Sequence, residues 1–453
     1  MPFDPDPAPA KPSRLIVPGA EPEPAERPRI ILPPGTSVET HDDLPEYPRL
    51  RAVQMVPVRD GDRDFLVVTD PLGITPGQPV LGLEAIGLLQ LLDGTTSLKD
   101  LQALVMRESK DLRVGNMVRE FVAQLDELLL LHSPRFEAAW AEAQRDYHRL
   151  EVRPAAMEGL CYPAERGELE RWLDEHFAAA ERARAEAGAS PVAPDTMPRA
   201  LLAPHLDPRR EGALVARAFL EVGAGPGPPL RVIVHGTGHS LGEDLIALTR
   251  KRFETPLGQV PCDTAFVDRL AERLGPLAYR SELAHRDEHS IEFQVLYLQR
   301  RLRGRPFTLV PILAGGFHRL LDDRRSPRDE PAVETLVAAL RETERDLAGA
   351  TLHVAGVDLS HVGPRFGDPP LDDEGLGAVR EADEAALAAA ERGDADAWFA
   401  AIAAIGDATR ICGFAANYVM LRAAEPGAGR RLGYAASREP DGSAVTVAAL
   451  AWP

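Results

Sequence analysis

The sequence predicts an α/β sandwich with a largely parallel central sheet, preceded by a small winged-helix-like α+β module and a Pro-rich tail. Three observations carry this reading. From Leu201 onward, short apolar runs alternate with helical stretches, beginning LLAPH, GALVARAFLEV and LRVIVHG, and such alternation marks βαβ units. Ahead of them stands a hairpin-like segment followed by three amphipathic stretches. At 453 residues, the chain is also too long for one ordinary core, so two or three domains are expected.

Residues 1–48 are dense in proline with scattered charge, a composition that buries too little apolar surface to offset chain entropy, so a disordered or extended tail is expected. Residues 49–135 form the predicted module. RAVQMVPVRDGDRDFLVVTDPLG reads as strand, DG-containing turn and strand. PVLGLEAIGLLQLLDG reads as a helix ending on Gly94, and Ser97 is the expected N-cap of a second helix with an apolar stripe at Leu98, Leu101 and Leu104. VGNMVREFVAQLDELLLL presents Val118, Phe121, Val122, Leu125 and Leu128 on one face of a third. Residues 150–453 are the predicted α/β domain, with a break at EAGASPVAPDTMP between a Glu/Ala/Arg-rich helix and the first apolar strand.

Bulk numbers exclude several classes. A formal net charge of -19 argues against nucleic-acid binding, which needs a basic face, and disfavours an anionic membrane surface. Three cysteines, Cys161, Cys262 and Cys412, make no disulfide framework and fit a reducing compartment. MPFDPDPAPAKPSRL lacks an apolar signal-type core, and no run reaches the ~18–20 apolar residues of a membrane span. A cytoplasmic location is therefore expected.

The chemistry gathers at strand ends. ALLAPH ends on His205, RVIVHGTGH on His239, and LHVAGVDLSH carries Asp358 and His361, while RICG carries Cys412. In an open α/β sheet, groups beyond the carboxyl ends of parallel strands converge on one crevice. One histidine there is usually just a satisfied polar group, but two at equivalent strand ends sit on adjacent loops. Cys412 fits either a buried small hydrophobe or, near a helix N-terminus, a ligating thiolate. Two imidazoles and one thiolate leave open positions, as a catalytic metal requires. That donor set suits iron, copper or zinc rather than magnesium or calcium.

A second cluster, AHRDEHSIEFQVLYLQ, holds His285, Glu288, His289 and Glu292 at helical spacings. It lacks the H-E-x-x-H order of a zinc protease. Glu288 and His289 are read as pocket-lining residues or as a polar helix start. Asp358, three residues before His361, is expected to orient that imidazole as a general acid/base, a strand-end Asx turn being the alternative. No G-x-S-x-G elbow supports a Ser-His-Asp triad.

These motifs spell a family. VRPAAMEGLCYPAERGELERWL, LLAPHLDP, GTGHSLG, FETPLGQVPCDTAF, HRDEHSIEFQVLYLQ, LVPILAGG, VDLSHVGPRFG and ICGFAANYVML, in this order, resemble the Memo family, whose bacterial members are called AmmeMemoRadiSam system protein B. The resemblance covers about residue 150 to the end. It implies a fold similar to the class III extradiol dioxygenases, metal binding by His205, His239 and Cys412, and an Asp–His pair beside the pocket at Asp358 and His361. Where the family carries Ala-Gly-Tyr after its first histidine, this chain has Leu206, Asp207 and Pro208. That departure puts pocket shape and any borrowed substrate in doubt. LLDGTTSLKDL with VREFVAQLDELLLL is similar to PqqD-like peptide-recognition domains, an added helical cap without a ligand being the alternative.

The resemblance implies a mononuclear iron or copper redox enzyme acting with a radical S-adenosylmethionine enzyme or a peptide substrate. The alternative is a non-catalytic peptide- or metal-binding adaptor or chaperone using the same crevice. The chain has no C-x3-C-x2-C motif, so it is not itself the radical enzyme.

Overall fold

The computed structural model describes residues 30–31, 43–60, 63–111, 113–242 and 244–453. The strands, in chain order, are β1 (Ile30–Ile31), β2 (Gln54–Asp60), β3 (Arg63–Thr69), β4 (Val80–Gly82), β5 (Val152–Arg153), β6 (Ala200–Ala203), β7 (Leu230–Thr237), β8 (Ile246–Leu248), β9 (Arg252–Thr255), β10 (Gly258–Val260), β11 (Phe307–Ala314), β12 (Ala350–Gly356), β13 (Asp358–Val362), β14 (Arg430–Arg438) and β15 (Ala444–Trp452). Two compact units divide the chain, Met1–Asp146 and Tyr147–Pro453.

In the first unit, β2 and β3 form an antiparallel hairpin within a sheet ordered β1-β4-β3-β2. Helices Leu98–Ser109 and Val114–Glu127 bury Leu101, Val118, Phe121, Val122 and Leu125 in one core with Leu66, Val68 and Leu81. Ser97 caps the first of these, its side chain accepting from Asp100 N at 3.1 Å. The helix expected to end on Gly94 is shorter. Val80–Gly82 is drawn into the sheet by pairing with β3, which leaves a 3-10 turn, Leu83–Ala85, and one α-helical turn, Ile86–Leu89. Most of the tail expected over residues 1–48 lies outside the described residues. Within it, β1 pairs with β4, and the carbonyls of Glu46 and Pro48 accept from Leu98 N and Gly94 N at 2.8 and 3.1 Å.

The second unit is built on an eight-stranded sheet ordered β13-β15-β6-β12-β7-β11-β8, with β14 on the outer edge of β15. β6, β12, β7 and β11 are parallel neighbours, and β8 and β15 run against them at either side. Helices cover both faces, as the buried, largely apolar strands require. Val232 and Val234 of β7 join the core formed with helices Arg166–Glu186, Pro208–Phe219 and His289–Arg301. Ile233 joins the opposite core, with Thr264–Leu274, Pro331–Asp346, Asp373–Glu391 and Phe414–Ala424. The expected α/β architecture is therefore present, with a parallel centre and antiparallel flanks.

Two features aim residues at one place. His205, His239 and Asp358 each stand two residues past the last residue of a parallel strand, β6, β7 and β12 respectively. β6 also pairs with only the last residues of β15, Leu450–Trp452, so the rest of that edge is free for β13 to pair from Ala444 to Val447. The chain that leaves β12 thus turns at once past the end of β6.

Candidate metal centre

His205 is buried and held from two directions. Its Nδ1 lies 2.9 Å from the Gly356 carbonyl, so the proton sits on Nδ1 and Nε2 carries the free lone pair. Its backbone N–H and that of Leu206 donate to Asp358 Oδ1 at 2.8 and 2.9 Å. Gly356 also lets the start of helix His289–Arg301 pack closely on the strand end, because a Cβ there would stand 2.5 Å from the Ser290 carbonyl oxygen.

His239 is fixed in the same manner by a carboxylate. Glu288 lies 3.0 Å from its Nδ1 and accepts its backbone N–H at 3.1 Å. The second imidazole therefore also turns its Nε2 toward the crevice. Glu288 itself is the N-cap of helix His289–Arg301, accepting from Ser290 N at 2.8 Å. A carboxylate behind a ligating imidazole fixes its tautomer and raises its basicity.

Cys412 arrives from the opposite core, one residue before Gly413, the N-cap of helix Phe414–Ala424. Its Sγ lies 3.2 Å from His205 Nε2. His205, His239 and Cys412 each offer a ligand atom with all three atoms within 4.8 Å of one another. The set fits a first-row ion at bond lengths of about 2.0–2.3 Å after small side-chain rotations. Both imidazoles have their other nitrogen occupied, so their lone pairs are free for it.

The electrostatics match. Burial pushes the Cys412 thiol well up, with Asp358 adding to it, so only a cation at Sγ would make the thiolate the ground state. Burial also lowers His205, against the opposing pull of Asp358. For His239, burial is outweighed by Glu288 and the net shift is upward, while the Glu288 carboxyl falls well below its usual range despite burial.

His289, expected only to line the pocket, stacks on His239 with ring centroids 5.0 Å apart, and its ring lies 5.3 Å from that of His205. With His239 and Glu288 it makes a second group of donor atoms within 4.8 Å of one another. Burial lowers its pKa to about 4. His285 does not share a helix face with it. That residue ends a 3-10 turn and its Nε2 meets the Ala247 carbonyl at 3.1 Å.

Asp358, His361 and Cys412 form a third such group, but the two members of the expected Asp–His pair are held by different partners. His361 Nδ1 faces the carbonyls of Leu359 and Arg410 at 2.9 and 3.2 Å, and Phe366 meets its ring edge-on at 5.2 Å. Backbone carbonyls, rather than Asp358, orient this imidazole and leave its Nε2 able to take a proton. Asp358 serves the His205–Leu206 backbone instead. The register of β13 against β15 shifts between Asp358 and His361, and this break in the regular alternation lets both residues reach Cys412.

Sequence reasoning passed over Arg153. It is fully buried, donates from Nε to the His285 carbonyl at 2.9 Å and from Nη2 to the Glu288 carbonyl at 2.7 Å, and pairs with Glu292. Glu292 is completed by Ala156 N, Met157 N and the Tyr162 hydroxyl. This network sets the turn that delivers Glu288 and His289. A charged residue in a two-residue strand gives no local sign of such a role.

The profile of the Memo-like protein family matches residues 153–451. The chain belongs to the Memo-like family. It is 26% identical over 342 residues to a MEMO1 family protein of Aquifex aeolicus, covering 74% of this chain and 82% of that one. A MEMO1 family protein of Thermus thermophilus is 31% identical over 280 residues, covering 62% and 76%. A third, from Methanopyrus kandleri, is 28% identical over 241 residues, covering 52% and 78%. Leu206, Asp207 and Pro208 serve as a helix start: Asp207 caps helix Pro208–Phe219, accepting from Arg209 N at 2.9 Å, with proline in the first turn. No helix among the described residues is long and apolar enough to cross a membrane.

Proposed function

We propose that this Memo-like chain is a metalloprotein holding one iron or copper ion at His205, His239 and Cys412, and that it is a redox enzyme of dioxygenase-like kind. The observation that supports this most is the convergence of two imidazole nitrogens and one sulfur within 4.8 Å, with Nδ1 of each imidazole already occupied. When bound, such an ion would supply a redox-active Lewis acid with open coordination positions.

The protein groups have separable duties. Glu288 and the Gly356 carbonyl hold the two imidazoles in the ligating tautomer. Asp358 keeps the His205 loop closed over the end of β6. His361, held through Nδ1 with Nε2 free, would accept or return a substrate proton next to the ligand set. His239 and His289 are partly exposed, so a small substrate would enter on that side. The proposed partner, a radical S-adenosylmethionine enzyme or the peptide it modifies, rests on the family pattern of motifs.

Anaerobic purification with metal analysis tests the reading. Wild type and His361→Ala should carry one ion per chain and Cys412→Ser a small fraction of that, with turnover lost in His361→Ala. Undiminished stoichiometric metal in Cys412→Ser would overturn the ligand set. Metal that exchanges freely without any product would favour a metal-binding adaptor or chaperone over an enzyme.

A further inference from the structure

A polar chain runs through the second unit, separate from the centre. Glu344, with a side chain 18% exposed, is clamped by both Nη atoms of Arg199 and lies 3.2 Å from His353 Nε2. His353 Nδ1 is in turn 3.1 Å from His235 Nε2, and the rings stack with centroids 5.4 Å apart. Both histidines are fully buried.

The chain has a direction. A carboxylate can only accept, so His353 donates from Nε2 and its Nδ1 must accept from His235 Nε2–H. His235 Nδ1 is then an unprotonated acceptor, and it has no partner among the described residues. Burial keeps both rings uncharged, pushing their pKa values down.

What that acceptor faces follows from the strand alternation. Ile233 of β7 and Ala355 of β12 lie in the core covered by helix Phe414–Ala424, whereas Val232, Val234, Leu352 and Val354 lie in the other. His235 and His353 therefore point toward this helix, which packs on β7 and β12. Asn417 on the helix is fully buried, and neither its Oδ1 nor its Nδ2 has a partner among the described residues. The Ala424 carbonyl accepts from Arg199 Nε at 3.0 Å, fixing one end of the helix beside Glu344. Asn417 stands about 10 Å back from that end and about 7 Å beyond Cys412.

Three orphaned polar atoms on facing elements of one core are the signature of internal water, since unpaired buried groups are costly and water makes about three hydrogen bonds at such sites. We propose that Asn417 and His235 hold buried water, and that this water, His235, His353 and Glu344 form a proton relay from beneath the Cys412 helix to solvent. In the forward direction, His235 Nδ1 takes a proton from the water and leaves hydroxide beside Asn417, and the same chain run in reverse returns a proton to that hydroxide and each ring to its Nε2–H tautomer. The His235 Nε2 proton passes to His353 Nδ1, and the His353 Nε2 proton passes to Glu344, which releases it to solvent. Each ring gains one proton and loses one, and no metal is required.

Nitrogen-15 histidine NMR on the metal-free full-length protein tests this, with signals assigned by His235→Phe and His353→Phe. Both rings should be neutral Nε2–H tautomers, with water cross-peaks at the Asn417 amide. Glu344→Gln should slow solvent exchange of the His235 ring proton at least tenfold while the fold is kept. An Nδ1–H tautomer of His235, or exchange unchanged in Glu344→Gln, would overturn the relay. If Glu344→Gln does not fold, the wild-type chain still decides, because a dry Asn417 with no water cross-peak contradicts the proposal.

Discussion

Replacing Glu288 by glutamine changes one atom and should weaken metal binding without unfolding the protein. The side chain is 3% exposed and makes three kinds of contact, with Ser290 N, the His239 backbone N–H and His239 Nδ1. Glutamine keeps one oxygen, enough for the helix cap, but turns an N–H toward a donor it cannot satisfy. The charge that makes His239 a strong ligand is lost as well. Outer-shell changes of this sort typically cost 10–100-fold in metal affinity, about 1.4–2.7 kcal/mol. The sign of the pH dependence follows from the upward shift of His239. In the wild type, a proton held on His239 competes with the metal below that raised pKa, and Glu288→Gln weakens the proton along with the metal. The deficit should therefore be largest near pH 8 and smaller near pH 6. Anaerobic competition titration of ferrous and zinc ions against a chromophoric chelator measures it. Affinity unchanged within threefold at pH 8 would refute the role assigned to Glu288.

Three further outcomes follow. Arg153→Met leaves Glu292 buried without its cation and the His285 and Glu288 carbonyls without a donor, so chemical denaturation should show a loss of about 3–5 kcal/mol. A loss below 1 kcal/mol would show that the network is not needed. Gly356→Ala forces a methyl against the Ser290 carbonyl oxygen, which should cost about 1–3 kcal/mol and lower metal occupancy through displacement of His205, and both are read on the purified variant. His285 is buried with its pKa lowered to about 4 by burial. Its folded value lies below the unfolded one, so its contribution is intact above about pH 6.5 and drains away as the pH falls toward 4. The stability difference between pH 7 and pH 5 should shrink by about 2 kcal/mol in His285→Leu, and an unchanged difference would place the acid sensitivity elsewhere.

Much of the centre was legible because parallel strands end in register. His205 and His239 each follow an apolar run by the same short step, and that repetition alone marks one crevice. Cys412 was less visible, since its loop comes from the far side of the sheet more than 200 positions later (|i−j| = 207 to His205), and it was the family pattern of motifs that joined it to the pair. Glu288 and His289 were seen as neighbours of the pocket, but a helix N-cap that also clamps a distant imidazole leaves no periodic trace. Asp358 and His361 do come together beside Cys412, but the carbonyls of Leu359 and Arg410 that face His361 Nδ1 belong to a tertiary arrangement that a three-residue spacing does not reveal. Strand β15, which supplies the edge for β13, could not be told from buried helix by its nearly continuous apolar run AVTVAALAW.

X-ray absorption at the metal edge of the anaerobically loaded protein tests the central claim most directly. One sulfur at about 2.3 Å and two imidazole nitrogens at about 2.0–2.1 Å are predicted, with the sulfur scatterer missing from Cys412→Ser. A first shell of nitrogen and oxygen only in the wild type would contradict the His205, His239 and Cys412 centre.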